Sequence, residues 1–460
     1  MPSGRRREQG AGARIMGPQQ IAVFGDADVP ASVDTVVIGG GVIGVYAALT
    51  LAEAGQRVAL VEKGRIAGEQ SSRNWGWCRQ AGRDPREFDL ARESLALWRT
   101  MNARVGADTG FATCGTLYAA RSEADVARYR EWIAEAAQAG IAAEVVSGSA
   151  LSALLPGDTQ PPPAGLHCAS DGRAEPQRAV PLMAEAARRL GVTILTDCAA
   201  RGIDHAGGHV RAVVTERGAI ACSAVIVAGG AWTRRIVADL GVALPQLPIR
   251  ATVARTQRFA ADVAGPGPNF WDGVMGVRRR ADGGFTVANG HRNTHPLTPA
   301  SFRHALAYRH LLAMEWRHVR LALGADFVRA WRSSAPVPFD RPSPYEAMRV
   351  LDPRPDLAFV ETALATLRRR FPALASARAV EVWGGMIDAM PDTVPVIAPL
   401  AKVGGVVIAT GFSGHGFGAG PAGGHLAADL VLGRRPIVDP APFRLERYFD
   451  GTMPRPVYGV

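Results

Sequence analysis

The sequence predicts an α/β (α+β) fold built on a parallel sheet, and three observations carry that prediction. A buried strand, a glycine turn, a helix and a second buried strand follow one another between Val36 and Glu62. Two further apolar strands, one entering Gly229-Gly230 and one entering Gly411, also run into glycines and then a helix-forming segment. Between these segments lie short β-branched runs broken by glycine, the pattern of sheet strands joined by tight turns.

The first unit is "VDTVVIGGGVIGVYAALTLAEAGQRVALVEKG". Val36, Val37 and Ile38 are a short apolar run suited to a fully buried parallel strand. Gly39, Gly41 and Gly44 follow in G-x-G-x-x-G spacing, and the helix from Val45 to Ala54 ends at Gly55. "RVALVE" is the second strand and closes on Glu62, followed by Lys63. In this frame Gly39 permits the turn, Gly41 lets backbone approach a pyrophosphate, and Gly44 lets helix pack on strand. Ile43, inside the motif, lies on the same ligand-facing turn. The helix N-terminus offers free N–H groups and partial positive charge to phosphates. Glu62 stands where a carboxylate accepts ribose hydroxyls and repels a 2′-phosphate. The ligand is therefore a dinucleotide, NAD or FAD.

The rest of the chain decides between them. "PQRAVPLMAEAARRLGVTILTD" reads as a helix then a strand, and "GHVRAVVTERGAIACS" as a small meander. "AVIVAGGAWT" is a buried strand running into Gly229, Gly230 and Trp232. "GVVIATGFSGHGFGAGPAGGHLAADLVLG" repeats the theme, with Gly411, Phe412, Ser413, Gly414, His415 and Gly416 in a glycine-dense loop before a helix from Ala422 to Leu432. So many glycines imply close backbone approach to a ligand, and the following helix N-terminus would stabilise negative charge there. A resident flavin explains that much wrapping better than a dissociable NAD.

Composition narrows the class. A length of 460 residues favours two structural units, and 47% apolar residues support a large core. The formal charge is +10, with only Lys63 and Lys402 among the lysines. The basic residues are scattered without aromatic interleaving, which argues against nucleic-acid binding and leaves attraction of anionic substrates. Cys78, Cys114, Cys168, Cys198 and Cys222 are odd in number, widely spaced and without a CxxC. That pattern speaks against a disulfide framework and against zinc, and for a reducing, cytoplasmic compartment. No His/Cys/Asp/Glu cluster has metal spacing, and no apolar run is long enough for an integral membrane segment. Residues 1–32 read as a disordered tail and lead-in, since no apolar stretch follows Arg5-Arg6-Arg7.

These motifs, with "SSRNWGWCRQ" and "WGGMIDAMPDTVPVIAP", resemble the D-amino-acid oxidase superfamily of FAD enzymes. The likeness runs in order from about Val33 to about Leu432, nearest to the glycine oxidase, sarcosine oxidase and γ-glutamylputrescine oxidase branch. It implies a Rossmann-like FAD-binding domain in three pieces (33–85, 165–240 and 376–435), interleaved with an antiparallel-sheet substrate domain (86–164 and 241–375), with 436–460 as an extension. It also implies oxidation of the C–N bond of an amino acid or secondary amine by hydride transfer to flavin N5. The resulting imine hydrolyses, and O2 or another electron acceptor reoxidises the flavin. An alternative on the same fold is dehydrogenation of a 2-hydroxy acid or polyol-type alcohol, which needs a base where a neutral amine does not.

The resemblance assigns the remaining candidates. Ser71, Ser72, Arg73 and Asn74 would contact the pyrophosphate and the ring edge, and Trp75 or Trp77 would wall the isoalloxazine or simply fill core. His291 falls where sarcosine oxidases carry an active-site histidine, and His415 lies on the cofactor side. The arginine that clamps a substrate carboxylate in D-amino-acid oxidases is replaced near Ile387, so either a simple D-amino acid is disfavoured as substrate or its carboxylate binds elsewhere, at Arg79, Arg250 or Arg332. Asp388 either attracts a substrate cation or is structural. Gly385 stands at the flavin-tethering cysteine position, so FAD is expected to be non-covalent. The oxygen-activating lysine of that branch has no counterpart.

Overall fold

Thr35–Ile38, buried along its whole length, lies inside a six-stranded sheet. The computed structural model describes residues 13–289, 293–333, 335, 337–452 and 455–457. The sheet order is Thr193–Leu195, Val58–Val61, Thr35–Ile38, Ala224–Val227, Val406–Thr410 and Val396–Pro399. The first five are parallel and the last pairs antiparallel with its neighbour. Strands far apart in the chain thus meet because each is a short apolar run that can be buried on both faces. The meander appears as a separate three-stranded sheet, Ala200–Ala206, His209–Thr215 and Gly218–Ala221.

The second layer is an eleven-stranded, mainly antiparallel sheet whose backbone is the long pair Leu247–Thr256 and Ala379–Ala389. Phe285–Asn289, Met275–Arg279, Asn269–Trp271, Thr116–Ala120, Ala164–Cys168 and Glu144–Ser147 extend it. Helix Leu357–Arg370 packs Phe359, Val360, Leu364 and Leu367 into the core beneath it.

Four expectations are corrected. Ala379–Ala389 and Ala164–Cys168 belong to the large sheet, so the domain exchange falls inside or at the edge of segments assigned to the FAD domain. Residues 13–32 are a docked strap: Arg14–Ile15 pairs with Glu381 and Val382, and Asp26 N–H donates to Ile194 O at 2.7 Å. The arginine-rich stretch after Pro299 has helical periodicity in the sequence, but it folds as two short helices, Pro299–Arg303 and Arg309–Glu315, then a strand, Val319–Ala322, which pairs with Asn293–Pro296. Finally, the C-terminal helix spans Gly416–Leu432, six residues longer at its start than expected.

That last difference has a steric cause. A Cβ on Gly424 would stand 2.6 Å from Ile43 O, and one on Gly420 2.8 Å from Val42 Cγ1. One on Gly418 would stand 2.8 Å from Trp77 O. These glycines lie inside a helix and let it press against helix Val42–Glu53 and the 77–79 segment. Packing outweighs their poor helix propensity.

Candidate active site

A cavity lies where the parallel sheet meets both helix N-termini. One wall is Gly39, Gly40, Gly41, Val42 and Ile43, and another is Glu62 and Lys63. Ser71 and Asn74, then Gly229, Gly230 and Trp232, then Phe412, Gly414, Gly416 and Phe417 complete most of the lining.

The glycine motif works by measurable contacts. Gly39 has φ +115° and its Cβ would stand 2.4 Å from Ala228 O, so only glycine makes this turn. Gly44 touches the turn it follows, with a Cβ position 2.0 Å from Gly39 O, so it packs and does not line the cavity. At Gly41 only Ser71 Oγ lies near, at 3.1 Å, leaving the backbone bare toward the cavity. Glu62 Oε2 accepts from Gly40 N–H at 2.7 Å and Oε1 from Gly64 N–H at 2.8 Å. Burial pushes this carboxyl above its ordinary value, opposed by Lys63 and by those two N–H groups.

The segment 68–80 divides into a cavity face and a structural face. Ser71 Oγ accepts from Val42 N–H at 2.8 Å, tying it to the first turn of the helix. Asn74 Nδ2 donates to Gln70 O and Ser71 O, and its Oδ1 accepts from Gly76 N–H at 2.8 Å. Ser72 and Arg73 are buried outside the lining, contrary to the expected cofactor contacts. Arg73 Nη1 is held by Asp352 Oδ1 at 2.5 Å and by Gly384 O at 2.9 Å, because a buried guanidinium needs all its donors met. Trp75 stacks on Trp271 (centroids 5.8 Å apart) and meets Trp77 edge-on, also outside the lining. Lys63 lines the cavity, but its ammonium is bound by Glu69 Oε1 at 2.6 Å and by Met348 and Arg349 carbonyls. Trp232 Nε1 donates to the same Glu69, at 3.0 Å.

The C-terminal loop is strained into place. Gly411, Ser413 and Gly414 have φ of +75°, +48° and +86°. Gly411 and Ser413 lie outside the lining; Ser413 Oγ accepts from Met390 N–H at 3.0 Å and so pins the loop to the large sheet's end. Asp388 does line the cavity, yet its Oδ2 accepts from Gly411 N–H at 2.8 Å and approaches Thr410 Oγ1 and Gln246 Nε2. Burial raises its carboxyl to about 6, against the lowering effect of Gly411 N–H and the other donors. His415 is nearly buried just outside the lining, with Nδ1 3.7 Å from Glu87 Oε2. Arg79 lies over the Tyr118 ring at 5.6 Å and donates to Ala81 O. Arg250 is half-buried opposite Met386 in the large sheet, whereas Arg332 is exposed on helix Ala325–Arg332. His291 lies outside the described residues.

Several lining residues had no sequence signal. Glu69 and Gln70 precede the serine pair and are visible only as neighbours of it. Ala200 and Tyr345 reach the cavity from stretches with no glycine turn and no motif. Among the described residues no group of three His, Cys, Asp or Glu side chains could hold a metal ion. No helix among them is long and apolar enough to cross a membrane.

The glycine cradle, the bidentate acid and a second helix N-terminus on one cavity fit a dinucleotide with a polar ring system, and they define a nucleotide-dependent oxidoreductase. The family model described as DAO, FAD dependent oxidoreductase, matches residues 34–430, so the chain belongs to that family of FAD-dependent enzymes. It is similar to the structure of L-amino acid deaminase from Proteus myxofaciens in complex with anthranilate, with 31% identity and a TM-score of 0.90 over 95% of this chain and 99% of that one. It is 26% identical to glycine oxidase of Pseudomonas aeruginosa over 89% of this chain and 97% of that protein. It is also 31% identical to 4-methylaminobutanoate oxidase (formaldehyde-forming) of Paenarthrobacter nicotinovorans over 47% of this chain, a match spanning 27% of that longer protein.

Proposed function

We propose that the protein oxidises the C–N bond of an amino acid or a secondary or N-substituted amine, with non-covalently held FAD as acceptor. The observation that carries this reading is the cavity that joins the nucleotide cradle to the N-terminus of helix Gly416–Leu432 beside the end of the large sheet. When bound, FAD supplies a two-electron acceptor for the hydrogen on the carbon next to nitrogen. The chain's residues do the rest. Glu62 would hold the ribose hydroxyls, and the N–H groups at Gly41 and Ile43 would receive the pyrophosphate. Gly414, Gly416 and Phe417, at the N-terminus of helix Gly416–Leu432, would offer backbone dipoles to negative charge on the bound group.

Asp388 acts as a positioning residue, since its carboxylate oxygen is engaged by Gly411 N–H. The lining carboxyls among the described residues, Glu62, Glu69 and Asp388, each already accept hydrogen bonds from the protein, and a substrate amine bound neutral needs none of them as a base. None of the five cysteines lines the cavity, and a Cβ at Gly385 would meet Gln70 Oε1 at 2.6 Å, which supports non-covalent FAD. The free cysteines accord with the cytoplasm. Both lysines are bound by protein oxygens, Lys402 by Gly241 O at 2.6 Å, so O2 and another acceptor are both open to the reduced enzyme. Anaerobic photometry of the purified holoenzyme against amino acids, N-methyl amines and 2-hydroxy acids tests the reading. Bleaching by an amine and not by hydroxy acids is expected; the reverse order would overturn it.

A further inference from the structure

Between Pro299 and Arg332 the chain turns apolar side chains outward. Of the 17 large hydrophobic side chains exposed among the described residues, nine fall between Phe302 and Trp331. Leu306, Trp316, Leu323 and Trp331 are 71%, 62%, 72% and 65% exposed. Single exposed hydrophobics need no explanation, but a cluster of them marks an interaction surface. Helix Ala325–Arg332 shows the pattern most plainly. Phe327, Val328 and Trp331 fall on one helical face, yet none of its eight residues is buried. The Phe327 ring lies 6.2 Å from that of Phe302 and 5.9 Å from that of Trp331, so this helix and helix Pro299–Arg303 share one aromatic surface.

The inner side of the same segment is firmly built onto the large sheet. The buried Tyr308 hydroxyl lies 2.8 Å from Pro245 O and 2.6 Å from Ala389 O, beside Asp388 at the cavity end of that sheet. Ala300, Tyr308 and Leu311 pack with Leu247 in a small core of their own. His295 Nδ1 lies 2.7 Å from Pro248 O and its Nε2 2.9 Å from Ser301 Oγ, which ties the strand to the helix after it. Strand Val319–Ala322 then pairs in parallel with Asn293–Pro296. The segment thus has a buried face that anchors it and an apolar face with no partner.

Charge gives the sign of the missing partner. Residues 299–332 carry six arginines against two acids, Glu315 and Asp326. Both acids are engaged within the segment, Asp326 with Arg329 and Glu315 with His318, each at 3.5 Å. Arg303, Arg317 and Arg320 are exposed, and among the described residues no carboxylate pairs with them. Arg317 instead lies over the ring of its neighbour Trp316, 4.9 Å from the centroid. A second copy of this face would bring like charge against like, and so would the chain's own Arg5-Arg6-Arg7. The partner is therefore anionic. The boundary between headgroups and acyl chains takes leucine and tryptophan on one side and arginine at the phosphates on the other, with no demand for a matching shape.

We propose that the 299–332 segment is a peripheral docking face for an anionic lipid bilayer, with Leu306, Trp316, Leu323 and Trp331 entering the acyl boundary and Arg303, Arg317 and Arg320 meeting lipid phosphates. No helix among the described residues is long and apolar enough to cross a membrane, so these residues lie on the surface and do not span it. The inference goes beyond the C–N oxidation reading and stands or falls separately from it.

The test sediments the full-length holoenzyme with vesicles of phosphatidylcholine alone or of phosphatidylcholine with about 30% phosphatidylglycerol. The protein should bind the anionic vesicles and not the neutral ones, with at least about tenfold weaker binding when salt rises from about 50 mM to about 500 mM. Arg317→Gln combined with Arg320→Gln should weaken anionic binding about 30-fold. Leu306→Ser combined with Leu323→Ser should weaken it at least about tenfold. Both double variants should keep wild-type flavin content and melting temperature. Should either fail to fold, the wild-type comparison of the two vesicle compositions still decides. Equal binding to both vesicles, binding to neither, or anionic binding that the leucine pair leaves unchanged overturns the inference. A dimer that the leucine pair dissolves, with no vesicle binding, assigns the face to a second copy and overturns it too.

Discussion

Gly40 N–H donates to Glu62 Oε2 at 2.7 Å, so the acid at the end of the second strand braces the glycine turn as well as facing the cavity. With Gly64 N–H on Oε1, both carboxylate oxygens already carry a backbone donor. Glu62→Gln replaces one of those acceptors by an amide NH2 that opposes an N–H. A hydrogen bond to a charged acceptor contributes roughly 1.5–3 kcal/mol, so the Kd for FAD should rise about 10- to 100-fold. Titration of flavin-free protein with FAD, read by quenching of flavin fluorescence, measures it.

The helix pair beneath the cavity gives a contrast between two glycines. Gly424→Ala places a methyl 2.6 Å from Ile43 O and 2.9 Å from Ala47 N, both backbone atoms that cannot move aside. The helices must separate, at a cost of about 1–3 kcal/mol or more, and their N-termini shift with them. Gly433→Ala meets no atom and bears only the strain of φ +61°, roughly 1–2 kcal/mol. Both variants should melt lower, but only Gly424→Ala should also lose FAD affinity.

The nucleotide half was legible in the sequence because its signals are local. The strand–glycine–helix–strand run, Glu62 and the Gly229-Gly230 strand end each occupy a few adjacent residues and stand where expected on the cavity. What depended on distant partners was not legible. Arg73 looked like a phosphate ligand, but Asp352, 279 residues away, holds it. Gly418 and Gly420 looked like loop because their partners, the Trp77 backbone and Val42, are far off in sequence. Tyr345 gave no sign of reaching Trp232, whose ring lies 5.8 Å from its own. The approach of His415 to Glu87 is likewise a product of folding, since the two arrive from distant parts of the chain.

Asp388 should leave a signature in stability against pH. Its folded carboxyl titrates at about 6, above the ordinary value of 3.8, because burial disfavours the ionised form. Between those values the folded protein keeps a proton that the unfolded chain has released. Stability from this group therefore falls as pH rises through that window and is flat above it. Asp388→Asn cannot titrate. The stability of wild type relative to this variant, from urea melts of flavin-free protein, should drop by up to about 3 kcal/mol between pH 4 and pH 6.5. An unchanged difference would mean that Asp388 titrates as an ordinary exposed acid.

The most direct measurement is a single anaerobic turnover of the purified protein. Acid precipitation should first release one FAD per chain into the supernatant, leaving a colourless pellet. Mixing intact enzyme with an excess of a reducing amine should then bleach the flavin and yield one equivalent each of carbonyl product and released amine or ammonia per FAD. A protein that takes up no flavin when offered it, or one that holds FAD yet yields a carbonyl only from alcohols, would contradict C–N oxidation in this cavity.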